Sequence, residues 1–380
     1  MKNFILKYIN YNIMIIILYL FTYFLFVNYY ISLCFSLFFI VFAISVCFKN
    51  KPVIENLKKN KKKKDIYLTI LVPIFNEENN LLDLINSLYS NNVNNVQIIF
   101  INDESTDNSL KILEKYQEKY NYIIINISKQ NFVCEVLNKG LKYVDKNTTH
   151  IGIINGDSSI AENCFELVKE RFQNYSIEAL NLHNVSKVYN KFNIYHYYSN
   201  LEKEYRNHLF VYNEASLNNG YFVNYKFIDK WETITEDQNL YLKLKKHNIV
   251  VYQDPNIFIY DSLHSRFSSL IRQKFRWNYG DLYNRCIFIP HNCFDVIISI
   301  FFLFPFFTLI TILSNNYFNN YVYFIQTSII LSESLLFFKY KNFRIKYLHL
   351  SLIYATLQFL FQIYFFCKYI YKHLIFRVTW

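Results

Sequence analysis

The chain has 380 residues and a net charge of +11, and this length permits two or three domains. It is 53% hydrophobic and 20% aromatic, but the apolar residues are spread unevenly along the sequence. The seven cysteines form no Cys-x-x-Cys pair and no metal-type Cys/His spacing, which excludes a zinc module of that kind and agrees with a reduced compartment. We expect no nucleic-acid partner.

Residues 1–50 are predicted to form two transmembrane helices. No charged side chain lies between Lys7 and Lys49, and this run is long enough for about two bilayer crossings of roughly 20 residues each. Asn28 stands where a tight hairpin would join them. A cleaved signal peptide and a single long span are the competing interpretations, but the run is too long for a signal peptide and no small-x-small cleavage site follows it.

The charges after this run predict the orientation of the chain. Lysines crowd the segment that follows the second span, which favours a cytoplasmic location for the next segment by the positive-inside bias. They are Lys58, Lys59, Lys61, Lys62, Lys63 and Lys64. We therefore expect an integral protein of the plasma membrane with a cytoplasmic central domain.

Residues 51–285 are predicted to form this domain, because short apolar runs alternate with apolar residues at helical spacing. The predicted strands are Tyr67–Val72, Val96–Ile101, Ile123–Ile127 and Ile151–Ile154. Helices are predicted from Leu81, from Ser105 and over Val133–Tyr143. This alternation predicts an α/β fold with a mostly parallel sheet and helices on both faces. Such sheets bind ligands beyond the carboxyl ends of their strands.

Polar residues follow three of these strands at their carboxyl ends. They are Pro73, Asn76 and Glu77, then Asp103, Glu104 and Asp107, then Asn155 and Asp157. Acidic groups that converge at one edge repel each other unless a cation or a donor-rich ligand lies among them. A nucleotide with a divalent ion on its phosphates fits this requirement, although the sequence has no Gly-rich phosphate loop.

Two polar motifs come next in the chain. Thr235-Glu236-Asp237 opens a polar helix. Gln273, Arg276 and Trp277 are spaced i, i+3 and i+4 on an amphipathic helix, so they share one face of it. This helix is expected to lie at the membrane surface, because membrane sequence follows.

Residues 286–380 are predicted to add about three transmembrane helices, each near or above the minimum length of about 17 residues. The candidate spans are Val296–Leu313, Tyr321–Phe338 and Tyr347–Cys367. Lys368 and the charges after it would then lie outside, which the positive-inside bias disfavours. The last segment is therefore either interfacial, or the number of spans differs by one.

Five motifs together resemble membrane-bound family 2 glycosyltransferases, the group that includes synthases of cellulose, chitin, hyaluronan and poly-N-acetylglucosamine. The motifs are Val72-Pro73-Ile74-Phe75-Asn76-Glu77, Asn102-Asp103-Glu104-Ser105-Thr106-Asp107, Asn155-Gly156-Asp157, Thr235-Glu236-Asp237 and Gln273-x-x-Arg276-Trp277. They occur in the family's order and cover the whole central segment. The resemblance implies a GT-A-like fold flanked by transmembrane helices.

The resemblance also implies a role for each residue. Asp237 would be the catalytic base, with Glu236 as the alternative. Asp157 would bind Mg²⁺ or Mn²⁺, and Trp277 would contact the acceptor. The nucleotide-sugar would be bound by Pro73, Asn76, Glu77, Asp103, Asn155, Gln273 and Arg276. Asn155 stands where the family's Asp-x-Asp motif has its first carboxylate, so the metal site has one negative charge fewer.

By the same resemblance, the chain is predicted to be an inverting transferase that moves a sugar, from a UDP-sugar, onto a growing β-linked polysaccharide. The expected partners are the nucleotide-sugar donor, a glycan or glycolipid acceptor, the lipid bilayer and accessory export subunits. Two alternatives stay open. One is a single transfer onto a lipid acceptor, and the other is a catalytically weak subunit for membrane assembly or transport.

Overall fold

The computed structural model describes residues 65–288 with gaps at 92–93, 129–131, 188–189, 191, 213–216, 234 and 264–265, together with residues 37, 41, 54, 57, 59–60 and 331. The chain divides into two compact units, Asn50–Leu270 and a second that combines Met1–Lys49 with Ile271–Trp380. In the described ranges, no helix combines the length and the apolar character that a bilayer crossing requires. The predicted spans in 1–50 and 286–380 lie outside the described residues and stay predictions.

Eight strands and seven α-helices alternate through the described part of the chain. The strands are β1 Leu68–Ile74, β2 Val96–Asp103, β3 Ile123–Ile127, β4 His150–Ile153, β5 Ser158–Ile160, β6 Ala179–Ser186, β7 Tyr221–Asn224 and β8 Val251–Asp261. The helices are α1 Leu81–Ser90, α2 Ser109–Tyr120, α3 Val133–Gly140, α4 Cys164–Asn174, α5 Ile194–Tyr212, α6 Glu236–Lys246 and α7 Phe267–Phe288. Short 3₁₀ helices lie at Leu141–Tyr143 and Tyr225–Phe227.

The strands form one sheet in the order β3-β2-β1-β4-β7-β6-β8-β5. The pairs β1·β2, β1·β4, β2·β3 and β6·β8 are parallel, and β4·β7, β6·β7 and β5·β8 are antiparallel. Consequently β1–β4, β6 and β8 end at the same edge of the sheet, which we call the carboxyl edge, and β5 and β7 run the other way. The predicted parallel arrangement holds for the first four strands, whereas the whole sheet is mixed.

Side chains of β1 alternate between two hydrophobic cores, as the two-residue period of a strand requires. Leu68, Ile70 and Val72 pack in the core that includes residues of α1, α2 and α4. Leu71 packs in the other core, which includes residues of α3 and α6. The predicted helices on both faces are therefore confirmed. A fully buried Leu or Ile contributes about 1.5–3 kcal/mol, so these layers stabilise the carboxyl edge from both sides.

Pro73 lies inside β1, which corrects the predicted end of this strand at Val72. Pairing of β1 with β4 stops at Leu71, whose carbonyl accepts from the Ile154 N–H at 3.3 Å. Backbone groups two residues apart point to the same side of a strand. Pro73 thus places its missing N–H on the side where β4 has ended, and the ladder with β2 continues to Ile74.

Candidate active site

The loops after β1 and β2 are joined at the carboxyl edge by hydrogen bonds. The Asn76 N–H donates to Ser105 Oγ at 3.0 Å, and Asn76 Oδ1 accepts from the Thr106 N–H at 2.8 Å. The Glu77 N–H donates to Ser109 Oγ at 2.8 Å. The side chain of Asn76 therefore supports the neighbouring loop, and its contact with a nucleotide-sugar stays a prediction.

Asp107 adds a further bond between these loops. Its carboxylate accepts from the Glu78 N–H at 3.0 Å and from the Ser109 N–H at 2.9 Å. Burial by itself would raise the pKa of Asp107, but the hydrogen bonds from Ser109 and Glu78 outweigh it and lower that pKa. Asp107 is therefore a charged anchor of the loop at neutral pH.

Asp103 is the buried last residue of β2 and lies beside Ile127 of β3. The chain reverses directly after it, because Glu104 adopts a left-handed backbone with a φ of 55°. A left-handed residue other than glycine costs on the order of 1–3 kcal/mol and persists only where its surroundings hold it. The next two residues, Ser105 and Thr106, are both hydrogen-bonded to Asn76, and these bonds hold the left-handed turn in place. The structure thus places Asp103 at the predicted edge.

Gly156 lets the turn after β4 pack directly on the end of β1. A Cβ at this position would lie 2.7 Å from Ile74 Cδ1, 3.0 Å from Glu77 Cγ and 3.2 Å from the Pro73 carbonyl oxygen. The first two distances are at or below the closest approach of real carbon atoms, and the third is to backbone, so a side chain would require Ile74, Glu77 or the turn to shift. Glycine here is what brings Asp157 to Glu77.

The turn that carries Asp157 is held by residues from distant parts of the chain. The Asn155 N–H donates to Asn219 Oδ1 at 3.0 Å. Ser158 Oγ lies 2.9 Å from Asp261 Oδ1 and 3.3 Å from Asp157 Oδ1, and its single proton serves one of these acceptors at a time. Asn219 Nδ2 donates both to Ser158 Oγ and to Asp261 Oδ1.

A second set of bonds connects this turn to Glu77. Ser262 Oγ lies 3.1 Å from the Asp157 carbonyl oxygen and 3.3 Å from Asn80 Oδ1. Asn80 Nδ2 in turn donates to Glu77 Oε2 at 2.8 Å. The ends of β1, β4 and β8 therefore share one polar network, as expected for strands that finish at the same edge.

Two carboxyl groups of this network titrate near neutral pH. Burial raises the pKa of Glu77 to about 7, the Asn80 hydrogen bond opposes this, and the charges of Asp157 and Asp107 add to it. Burial also raises the pKa of Asp157 to about 6, with a further rise from Asp261 that Lys203 partly offsets. A cation bound here would lower both pKa values by relieving the repulsion.

The oxygen ligands at this edge fit a divalent metal that is shared with a phosphate group. Among the residues that the structure describes, no three Asp, Glu, His or Cys side chains are grouped closely enough to hold a metal ion by themselves. Mg²⁺ is commonly held by one or two carboxylates together with substrate phosphates. Asp157 offers such a carboxylate, and part of its surface is exposed to solvent.

The second predicted pair of carboxylates, Glu236 and Asp237, lies in the first turn of α6, so these residues open this helix as predicted. Thr235 occupies the N-cap position but makes no side-chain cap hydrogen bond. Asp237 Oδ1 instead accepts from the Gln238 N–H at 2.6 Å. Both carboxylates are half-buried, and their negative charge suits the positive end of the helix dipole.

Two buried side chains locate these carboxylates at the carboxyl edge. Burial raises the pKa of the Cys134 thiol and of the Tyr221 hydroxyl, and in both cases Glu236 and then Asp237 raise it further. Cys134 lies in the first turn of α3, which follows the carboxyl end of β3. Tyr221 lies beside Ile153, the last residue of β4. The start of α6 therefore lies at the same edge as the Asp157 turn.

The third predicted group lies on α7, in the unit that begins at Ile271. Arg276 is exposed, whereas Gln273 and Trp277 are half-buried. The Lys274 ammonium lies 5.0 Å from the centroid of the Trp277 ring, a cation–π distance. The spacing on one helix is confirmed, and the roles of Gln273, Arg276 and Trp277 at the site stay predictions.

Several residues of the network escaped the sequence interpretation, among them Lys203, Asn219 and Asp261. Lys203 lies on α5, Asn219 precedes β7, and Asp261 ends β8. The available signal was the apolar run Ile257-Phe258-Ile259-Tyr260 that ends at Asp261, which marks a strand with a carboxylate at its end. That signal says nothing of direction, and only the parallel pairing of β8 with β6 brings Asp261 to the carboxyl edge.

Comparison with known proteins identifies part of the chain. Residues 69–231 match the family model described as Glycosyl transferase family 2. The minor teichoic acid biosynthesis protein GgaB of Bacillus subtilis (strain 168) is 32% identical over 122 residues, which is 31% of this chain and 13% of that protein. The GgaA protein of the same strain is 30% identical over 108 residues, which is 27% of this chain and 24% of that protein. The chain thus covers less than a quarter of either relative.

A solved mannosyltransferase from Pyrobaculum calidifontis, in complex with GDP-Man and Mn²⁺, resembles the chain in fold. The TM-score is 0.51 at 11% identity, over 87% of this chain and 95% of that one. The GT-A-like α/β fold is therefore confirmed. Residues 69–231 match glycosyl transferase family 2, and this match supports the predicted enzyme class for that segment. The match ends before α6, so it covers the Asp157 turn but not Asp237.

Proposed function

We propose, from the family 2 domain at residues 69–231, that this chain transfers a sugar from a nucleotide-sugar to an acceptor hydroxyl with inversion at the anomeric carbon. One observation carries the proposal. The Glu77–Asp157 network and the Glu236–Asp237 pair lie at one edge of the sheet, although the chain between Asp157 and Glu236 is long. One group suits the donor phosphates, and the other suits the acceptor.

In the proposed reaction, Asp237 removes the proton of the acceptor hydroxyl. The freed oxygen attacks the anomeric carbon, the bond from this carbon to the phosphate oxygen breaks, and its electron pair leaves with the nucleoside diphosphate. A positioned carboxylate base contributes roughly 10²–10⁴-fold to such a step. Asp237 is supported because its carboxylate is fixed in the first turn of α6 by the Gln238 N–H. Glu236 is the competing candidate.

The donor diphosphate is proposed to lie at the Asp157 turn. Asp157 would hold Mg²⁺ or Mn²⁺ together with phosphate oxygens, and such an ion stabilises the negative charge of the leaving group. Glu77 borders this turn and Asp103 ends β2 at the same edge of the sheet, and both can accept hydrogen bonds from base or ribose. Gln273 and Arg276 are proposed as diphosphate ligands on chemical grounds, since a bidentate guanidinium suits phosphate oxygens. Trp277 would offer its ring to the acceptor sugar.

We further propose a UDP-sugar donor, a β-linked polysaccharide acceptor and a plasma-membrane location with the domain in the cytoplasm. The names of GgaB and GgaA refer to teichoic acid biosynthesis, which supports a cell-surface polymer as the product class. The apolar runs in 1–50 and 286–380 support anchoring in the bilayer. With a polysaccharide as the product, we also propose that synthesis is coupled to export and that accessory export subunits take part.

The test uses the full-length chain purified in detergent with radiolabelled UDP-sugars and Mn²⁺. A ladder of product sizes supports polymer synthesis. A single labelled glycolipid would instead show that the enzyme transfers one sugar to a lipid acceptor. The absence of incorporation with every donor would refute the proposed transferase and leave the assembly subunit.

The role of Asp237 is tested with Asp237→Asn and Glu236→Gln. We expect Asp237→Asn to reduce turnover by roughly 10²–10⁴-fold with little change in donor KM. Asp229→Asn is the matched control, because Asp229 is exposed and its carboxylate forms an ion pair with Lys243 of α6 at 2.9 Å. Full turnover of Asp237→Asn, with loss in Glu236→Gln, would move the base to Glu236.

A further inference from the structure

Asp261 is a nearly buried carboxylate that the proposed reaction does not use. Its Oδ1 accepts from Ser158 Oγ at 2.9 Å and from Asn219 Nδ2. Its Oδ2 lies 3.2 Å from the Lys203 ammonium, and the side chain of Lys203 is 21% exposed. Oδ1 thus has two donors, and the negative charge of Asp261 is compensated by an ion pair with a lysine from α5.

These contacts surround the turn that carries Asp157. Asn219 holds the start of the turn through the Asn155 N–H, and Asp261 holds its end through Ser158. The same Asn219 side chain also donates to Asp261. The turn is therefore fixed at both ends by one hydrogen-bonded group, and the Asp157 side chain lies between the two attachments.

The ion pair between Lys203 and Asp261 bears on which carboxylate is available to a cation. Asp261 is already engaged by Lys203 at Oδ2 and by two donors at Oδ1, so a metal ion would have to compete with these contacts. Asp157 keeps solvent-accessible surface. The carboxylate that faces a ligand is thus Asp157, and the carboxylate that supports it is Asp261.

We propose that Asp261 is a positioning residue that, with Ser158 and Asn219, holds Asp157 in the orientation that binds the divalent ion of the donor complex. Lys203 compensates the negative charge of Asp261. The inference rests on the proposed function. Groups that orient a metal ligand typically change metal affinity by roughly 10–100-fold when they are removed.

The test is titration calorimetry, in which MnCl₂ is added to a solution of the full-length protein and UDP and the Kd for Mn²⁺ is measured. Asp261→Ala removes both acceptor oxygens and should raise the Kd for Mn²⁺ by roughly 10–100-fold. Ser158→Ala changes no charge and should also raise this Kd, by a smaller factor. The double variant Ser158→Ala/Asp261→Ala should be no weaker than Asp261→Ala alone, because both substitutions remove the same bond. Asp229→Asn is the exposed control and should leave the Kd unchanged.

A purely electrostatic role for Asp261 makes opposite predictions. Ser158→Ala would then bind Mn²⁺ like the wild type, and Asp261→Ala/Lys203→Met, which restores the net charge without restoring the acceptor, would recover wild-type affinity. Either result would overturn the positioning role. Thermal unfolding of each variant without Mn²⁺ separates loss of the fold from loss of the orientation, and Ser158→Ala serves if Asp261→Ala does not fold. Wild-type protein that binds neither UDP nor Mn²⁺ would instead refute the proposed function.

Discussion

Neutralising Glu77 should stabilise the protein at alkaline pH and leave its stability nearly unchanged at acidic pH. The side chain is half-buried, and its pKa rises from 4.5 to about 7 in the folded state, first through burial and then through Asp157 and Asp107. The folded state therefore binds this proton more tightly than the unfolded state does. The stabilising contribution is complete below pH 4.5 and is lost as the pH rises through about 7.

The size of this effect follows from the pKa difference. Each pKa unit corresponds to about 1.4 kcal/mol, so the difference between 4.5 and about 7 sets an upper limit of about 3 kcal/mol. Partial exposure of the side chain reduces this to roughly 1–2 kcal/mol. In Glu77→Gln the amide oxygen still accepts from Asn80, so the substitution removes the charge and keeps the hydrogen bond.

The assay is unfolding of full-length wild type and Glu77→Gln between pH 4.5 and 8.5, followed by the fluorescence of the buried Trp231. The stability difference should be small near pH 4.5, grow up to about pH 7 and stay constant above it. Glu114→Gln on the exposed side of α2 is the matched control and should show a much smaller difference. A difference that is independent of pH, or that shrinks as the pH rises, would refute the reasoning.

Two further predictions concern packing around the site. Gly156→Ala should cost about 1–2 kcal/mol of stability and reduce Mn²⁺ affinity, because its Cβ would lie 2.7 Å from Ile74 Cδ1. Ile74→Val removes this atom, so the double variant should recover part of the loss in chemical denaturation, and no recovery would contradict the clash. Asn138 donates to the Trp231 carbonyl at 2.7 Å and accepts from the Trp231 N–H at 2.9 Å. Asn138→Ala should therefore cost about 1–3 kcal/mol, measured against the exposed Asn147→Ala, and equal melting temperatures would contradict it.

Much of the fold was predictable because local sequence patterns report it. Apolar runs bounded by polar turns predicted β2 and β3 from their correct first residues, and the helix predicted over Val133–Tyr143 is α3 with its 3₁₀ extension. The end of β1 was wrong by two residues, because the effect of Pro73 depends on where β4 stops pairing. The second half of the sheet was not predicted, because the residues of a single strand do not show whether its partner is parallel or antiparallel.

The sequence by itself determined which residue types can do the chemistry and the order in which they appear. Asp103, Asp157 and Asp237 are predicted from local motifs, because a carboxylate after a strand or at a helix start is a local feature. Only the tertiary structure decided that Asp261, Asn219 and Lys203 support the Asp157 turn. Hydrogen bonds join residues that lie 42 to 103 positions apart in the chain. Such contacts depend on strand direction and register, which the packing of the whole sheet sets.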